Sequence, residues 1–101
     1  MHKRVEEIEA GEIPNRQGLY IFFDREQALY VGECENLSKR LKKHLGHSDN
    51  KGLARWLWQH GMKALHLEIQ VLPESTIARV RKALEAELIM SRKPIFNVSG
   101  T

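Results

Sequence analysis

The chain has 101 residues, of which 42% are apolar and 29% charged, with a formal net charge of +3 and a single cysteine, Cys34. This length suits one small domain over 1–101 with one modest core, and no apolar run approaches the ~20 residues of a membrane span. The opening "MHKRVEEIEAGEIP" lacks an apolar signal core, and the lone thiol excludes an intrachain disulfide and suits a reducing cytoplasm.

Residues 1–17 are polar with scattered Val5, Ile8 and Ile13, a pattern for a short helix and then a turn at "IPNRQG". "LYIFF" and "ALYVG" are rich in aromatic and β-branched residues and read as strands. The polar "DREQ" between them is short enough to make an antiparallel hairpin, with Gly18 and Gly32 at its outer ends. Asn36 is a suitable N-cap for a helix from Leu37 to Leu45 with Gly46 as its stop, and Leu37, Leu41 and Leu45 give it an inward face. "HSDNKG" reads as a loop, and "LARWLWQHG" as a second helix on which Trp56 and Trp58, two apart, either both pack in the core, the reading preferred, or leave one exposed where it could stack on a base. "ALHLEIQVL" alternates as a half-buried third strand ended by Pro73. "ESTIARVRKALEAELIMSRK" is the longest helix, with an apolar stripe of Ile77, Val80, Leu84 and Leu88. Pro94 ends it, and "IFNV" closes as an extended segment. The expected fold is α+β, a small three-stranded antiparallel β-sheet flanked by helices.

The charge is unevenly spread. From Asn36 to Lys63 there are seven cations (Lys39, Arg40, Lys42, Lys43, Lys51, Arg55 and Lys63) against one anion, Asp49. Such a surplus is either a landing surface for polyanions or simply a solvated helix face. The chemistry-bearing residues fall near it. Across an antiparallel hairpin Tyr20 and Tyr30 can approach, register permitting. Arg40 and His44, four apart, share one helix face distinct from the leucine stripe. Either the four form a functional cluster, or the tyrosines are half-buried core residues with bonded hydroxyls and the Arg and His are solvated. Cys34, His44, His47, His60 and His66 match no common zinc spacing, and no glycine-rich phosphate loop or dinucleotide fingerprint appears.

In order and spacing, "GLY", "YVG" with its tyrosine ten residues after the first, Arg40 in "NLSKRLKKH", a glutamate on the last helix and "PIFN" resemble the GIY-YIG nuclease superfamily, over about Ile13 to Val98. The likeness is to the nuclease domain of the excinuclease nicking subunit. It implies a divalent-metal-dependent DNA endonuclease of repair or recombination type. Tyr20 and Tyr30 would flank the scissile phosphate and activate or orient water, and Arg40 would contact the phosphate. His44 stands where the family places a His or Tyr, and Asn97 at the asparagine that holds the site together. "EAELIMSRKPIFN" puts Glu85 at the metal-ligand glutamate, for one Mg²⁺ or Mn²⁺. Glu87, two residues on, points elsewhere and reads as an exposed charge pairing with a neighbour such as Arg81. Lys39, Lys42, Lys43, Lys51 and Arg55 are the expected nucleic-acid contacts.

One departure stands out. The excinuclease branch has a lysine after "YVG", where this chain has Glu33, and a carboxylate there would raise the phenols' pKa and repel phosphate. Only four residues follow Asn97, which leads to an expectation of little intrinsic sequence specificity, with a protein partner or a homodimer supplying it. The alternative is a catalytically weak nucleic-acid-binding module acting through a partner.

Overall fold

In the computed structural model, which describes residues 1–9, 11–25, 27–47 and 50–97, four strands and three helices are laid out in chain order. They are β1 (His2–Arg4), β2 (Gly18–Asp24), β3 (Gln27–Cys34), α1 (Leu37–His47), α2 (Lys51–His60), β4 (His66–Val71) and α3 (Ala78–Arg92). Val5–Glu7 and Met62–Ala64 are single 3-10 turns. The strands form one antiparallel sheet in the order β1-β4-β2-β3. The sheet thus has four strands, where three were expected. The extra one, β1, is exposed along its length and pairs with β4 through Lys3↔Leu67. Held by backbone bonds at an edge, it has no apolar alternation to announce it.

The sheet is covered on both faces. Tyr20, Phe22, Leu29, Leu67 and Ile69 pack against Leu37 and Leu41 of α1 and Leu53 and Trp56 of α2. On the other face Ile21, Phe23, Ala28 and Val31 meet Leu88 and Ile89 of α3. Central β2 is buried on both sides, which is why it reads as an unbroken apolar run. The register slips between Phe22 and Phe23, so that Phe22 faces Tyr30 and Phe23 faces Ala28. Leu29 is the extra residue of this bulge, a feature suited to an edge strand.

The helix signals are local and mostly hold. Asn36 Oδ1 accepts from the Lys39 amide at 3.0 Å, capping α1. The helix runs through Gly46 to His47, past the expected stop. The loop expected over 47–52 is shorter than that, and Ser48 and Asp49 lie outside the described residues. Asn50 Oδ1 accepts from the Leu53 amide at 2.8 Å, so α2 begins at Lys51 rather than at Leu53. Gly61, at φ +77°, ends it as expected. Trp56 is buried, but Trp58 is 88% exposed and not in the core.

The expected stripe of α3 is rotated. Ile77 and Val80 are exposed, while Arg81 is buried at 6% exposure and Leu88 and Ile89 touch the sheet. The inward face therefore runs Arg81, Glu85, Leu88, Ile89 at helical spacing. An ion pair at its first turn, described below, fixes this rotation.

Candidate active site

The hairpin register pairs Tyr20 with Gly32 and Phe22 with Tyr30. The two tyrosines are therefore diagonal neighbours on the α1 face, with ring centroids 6.3 Å apart. His44 closes the triangle at 5.4 Å from each ring. Its Nε2 lies 2.9 Å from the Tyr20 hydroxyl, and both side chains are buried. Arg40, one turn earlier on α1, donates from Nε to the same hydroxyl at 3.3 Å. Arg40 can only donate, so the Tyr20 oxygen accepts from it, while the donor of the Tyr20–His44 hydrogen bond depends on the imidazole tautomer. The structure thus brings Tyr20, Tyr30, Arg40 and His44 together.

Burial pushes the Tyr20 phenol well above its ordinary range, and the nearby Tyr30 adds to this. The Arg40 hydrogen bond and charge pull the other way and do not prevail. A phenol so placed stays protonated near neutral pH. Cys34, buried beside Gly18, has its thiol pushed up to about 11 by burial, which makes it a packing residue rather than a nucleophile.

Two glycines and one asparagine hold this arrangement. A Cβ at Gly32 would lie 2.3 Å from Cζ and Oη of Tyr20, so the phenol occupies the space a side chain would take. A Cβ at Gly18 would lie 2.4 Å from the Gln70 carbonyl oxygen. Asn97 accepts from the Val31 amide at 2.7 Å and donates to the Val31 carbonyl at 2.8 Å. Phe96 donates its amide to the Leu29 carbonyl at 2.8 Å. Together they supply the exposed edge of β3 with partners where the sheet ends, and keep Tyr30 and Gly32 in register.

Glu85 stands on the other face of β3, beside Glu33. Burial raises its carboxyl pKa, the Glu33 charge raises it further, and the Glu33 backbone N–H and Lys82 oppose both. Glu87 is exposed on a separate groove with Leu19 and Gln70. Arg81 does not pair with a glutamate of its own helix. Its Nε bonds to Glu33, its Nη1 donates to Gln17 Oε1 at 2.6 Å, and its Nη2 lies 4.0 Å from Glu35. Gln17 in turn donates to the carbonyls of Pro73, Glu74 and Thr76 at 2.9, 3.1 and 3.0 Å. One buried guanidinium thus joins the start of β2, the end of β3 and the entry to α3, and it neutralises the carboxylate that departs from the excinuclease pattern.

Residues 16–98 match the model of the UvrC-like GIY-YIG domain. The chain belongs to the UvrC-like GIY-YIG domain family. It is 33% identical over 86 residues to UvrABC system protein C of Fervidobacterium nodosum, covering 85% of this chain and 14% of that protein. It is 35% identical over 89 residues to the same protein of Rickettsia rickettsii, covering 86% of this chain and 13% of the relative. The chain therefore spans about one seventh of the length of these curated relatives. Among solved structures it resembles the GIY-YIG N-terminal endonuclease domain of UvrC from Thermotoga maritima bound to magnesium as its catalytic divalent cation, with TM-score 0.65 and 31% identity over 85% of this chain and 88% of that one. A variant of that domain with one tyrosine replaced by phenylalanine, also bound to the catalytic divalent cation, matches with TM-score 0.66 and 30% identity over 85% and 87% of the two chains.

In this GIY-YIG domain the donor set suits a hard divalent cation. Glu85 is a half-buried carboxylate made basic by its surroundings, with a second carboxylate next to it. A cation with one protein carboxylate and several waters, as Mg²⁺ prefers, would relieve both effects. The expected nucleic-acid residues Lys39, Lys42, Lys43, Lys51 and Arg55 are all exposed. Lys39, Arg40 and Lys43 line a cleft of about 480 Å³ together with Glu33 and Glu35, directly beside the phenol cluster. Lys51 and Arg55 lie apart from it on α2, at a second cleft. Arg81 and Gln17 are the residues sequence reasoning missed. The absence of any compensating cation next to Glu33 in the chain was the available signal.

Proposed function

We propose that this GIY-YIG domain, over residues 1–101, is a divalent-metal-dependent endonuclease that hydrolyses DNA phosphodiester bonds in repair or recombination. The observation that carries the reading is the buried Tyr20–His44 hydrogen bond with Arg40 donating to the same phenol oxygen, Arg40 also lining the cleft that holds Lys39, Lys43, Glu33 and Glu35. Arg40 reaches the cleft with a planar donor fork that matches phosphate oxygens. Tyr20 holds its own proton at neutral pH, so it serves as a relay: its oxygen takes a proton from the attacking water as its own passes to His44 Nε2. The water oxygen bonds to phosphorus as the bond to the leaving 3′ oxygen breaks. Tyr30 orients the water from the facing strand, and Asn97 keeps that strand in place. When bound at Glu85, Mg²⁺ or Mn²⁺ would polarise the phosphate and stabilise the leaving oxygen. Lys39, Lys42, Lys43, Lys51 and Arg55 would grip backbone phosphates, which gives affinity and little sequence preference.

Specificity would come from a protein partner or a second copy of the chain; the UvrABC system of the relatives' name supports the former. No helix among the described residues is long and apolar enough to cross a membrane, and we place the activity in the cytoplasm. The test is cleavage of supercoiled plasmid with Mg²⁺ or Mn²⁺ by the intact protein, Glu85→Ala and Glu87→Ala. Loss of cutting in Glu85→Ala alone is expected. Loss in Glu87→Ala alone would move the ligand. A protein that shifts DNA in a gel yet cuts neither plasmid nor branched or single-stranded substrates would be the catalytically weak binding module instead.

A further inference from the structure

Helix α2 presents an outward face that the catalytic reading leaves unused. Lys51 and Arg55 are one turn apart, and Trp58 follows three residues after Arg55, so all three share one side of the helix. Trp58 is 88% exposed, although Trp56, two residues earlier, is buried and stacks on His60 with ring centroids 4.6 Å apart. A large aromatic ring so exposed, one turn beyond Arg55, contributes little to the packing of this fold. On the other flank of the same two cations lies a cleft of about 390 Å³ lined by Lys51, Gly52, Arg55, Trp56, Gln59 and Phe96. The Phe96 ring lies so close on Gly52 that an added Cβ would meet its Cδ1 at 2.5 Å. Phe96 is fixed from both ends: its amide donates to Leu29 of β3, and its carbonyl accepts from Asn50 Nδ2 at 3.2 Å. The cleft is thus rigidly joined to the strand that carries Tyr30.

We infer that this face of α2 is a binding site for unpaired nucleotides flanking the cut. Lys51 and Arg55 take the phosphates, Trp58 stacks one base, and the cleft between Gln59 and Phe96 receives the next. The cations and the neighbouring π-face match the chemistry of single-stranded nucleic acid, whose bases offer free faces and whose backbone is anionic. Paired bases are already stacked on one another and could not use Trp58. The cleft volume falls within the range of small-ligand sites, and Gln59 supplies an amide that can donate and accept at a base edge. This inference rests on the nuclease reading and adds to it a preference for substrates with an unpaired stretch.

The test is titration of the full chain in EDTA, which prevents cutting, with a single-stranded oligonucleotide and with the same backbone carrying abasic residues. Intrinsic fluorescence follows Trp58, with Trp58→Phe separating its signal from Trp56. Quenching by the intact oligonucleotide and a loss of roughly tenfold in affinity for Trp58→Ala are expected from one stacked base. The abasic strand should bind Trp58→Ala and the parent alike. Lys51→Ala and Arg55→Ala should instead flatten the salt dependence of binding. Being exposed, Trp58 can be removed without unfolding the chain. If Trp58→Ala binds the intact strand as the parent does, or if duplex quenches Trp58 as strongly as single strand, the inference is overturned. The same proteins assayed for plasmid cutting with Mg²⁺ keep the two readings apart, since a protein that cuts but shows no Trp58 effect loses only this inference.

Discussion

Replacing Arg81 with methionine should unfold this domain at a far lower denaturant concentration than any substitution of a surface cation. The guanidinium and the Glu33 carboxylate keep only 7% and 18% side-chain exposure, so both have left most of their water behind. Removing one partner of such a pair strands the other, at a cost of about 3–5 kcal/mol when fully buried. Glu33 retains some solvent, so the lower end, about 3 kcal/mol, is expected here. In a domain of this size that corresponds to a fall of about 12–24 °C in Tm. The bonds of Arg81 to Gln17 would go too, loosening the entry to α3. The assay is urea unfolding followed by circular dichroism for the parent, Arg81→Met, Glu33→Leu and the double variant. Glu33→Leu should cost less, since Arg81 keeps Gln17 Oε1 at 2.6 Å and Glu35 at 4.0 Å. The double variant should recover most of the loss, because an apolar pair in place of a buried ion pair is close to neutral. The cycle should give a coupling of about 2 kcal/mol. Additivity within about 0.5 kcal/mol would refute the idea that Arg81 neutralises Glu33.

Gly32→Ala should displace the Tyr20 phenol and cost about 1–3 kcal/mol as overpacking; plasmid cutting should fall with it, and unchanged cutting would show that the close approach is dispensable. Tyr20→Phe removes the proton shared with His44 and should lower the cleavage rate by about 10²–10⁴-fold, with little change in DNA binding by gel shift. Asn97→Ala leaves the Val31 amide and carbonyl without partners, a loss of about 1–3 kcal/mol seen as a lower urea midpoint. The Glu85 carboxyl is raised in the folded state by burial and by Glu33. The folded chain therefore holds this proton to higher pH than the unfolded chain, whose value is about 4.3, and the group's contribution to stability falls as pH rises through that window. Glu85→Gln in EDTA should accordingly be more stable than the parent at pH 7.5 and equal to it below about pH 4; the reverse order would contradict the burial of Glu85.

Much of the fold is written in neighbouring residues. The hairpin, the Asn36 cap, the Gly61 stop and the long last helix are all signalled within a few positions of where they occur. So are the cluster candidates, since Arg40 and His44 share a helix face and the hairpin can bring Tyr20 near Tyr30 whatever the details of the turn. The rotation of α3 was not legible, because Ile77, Val80, Leu84 and Leu88 form as good a stripe as the one used. Nor was β1, which carries no apolar alternation and exists only because β4 offers an unpaired edge.

The sequence by itself determined which groups could take part: two phenols, an imidazole, a guanidinium and a carboxylate, each on an element that local chemistry specifies. Tertiary structure alone decided how they are placed and what surrounds them. It buried Tyr20 so deeply that desolvation outweighs Arg40, which keeps the phenol protonated at neutral pH. It bound Glu33 to an arginine 48 positions away, and it left Trp58 in water while Trp56 went into the core. Such outcomes depend on which surfaces meet across long separations in the chain. Desolvation and charge pairing are properties of that meeting, not of the residues that precede and follow.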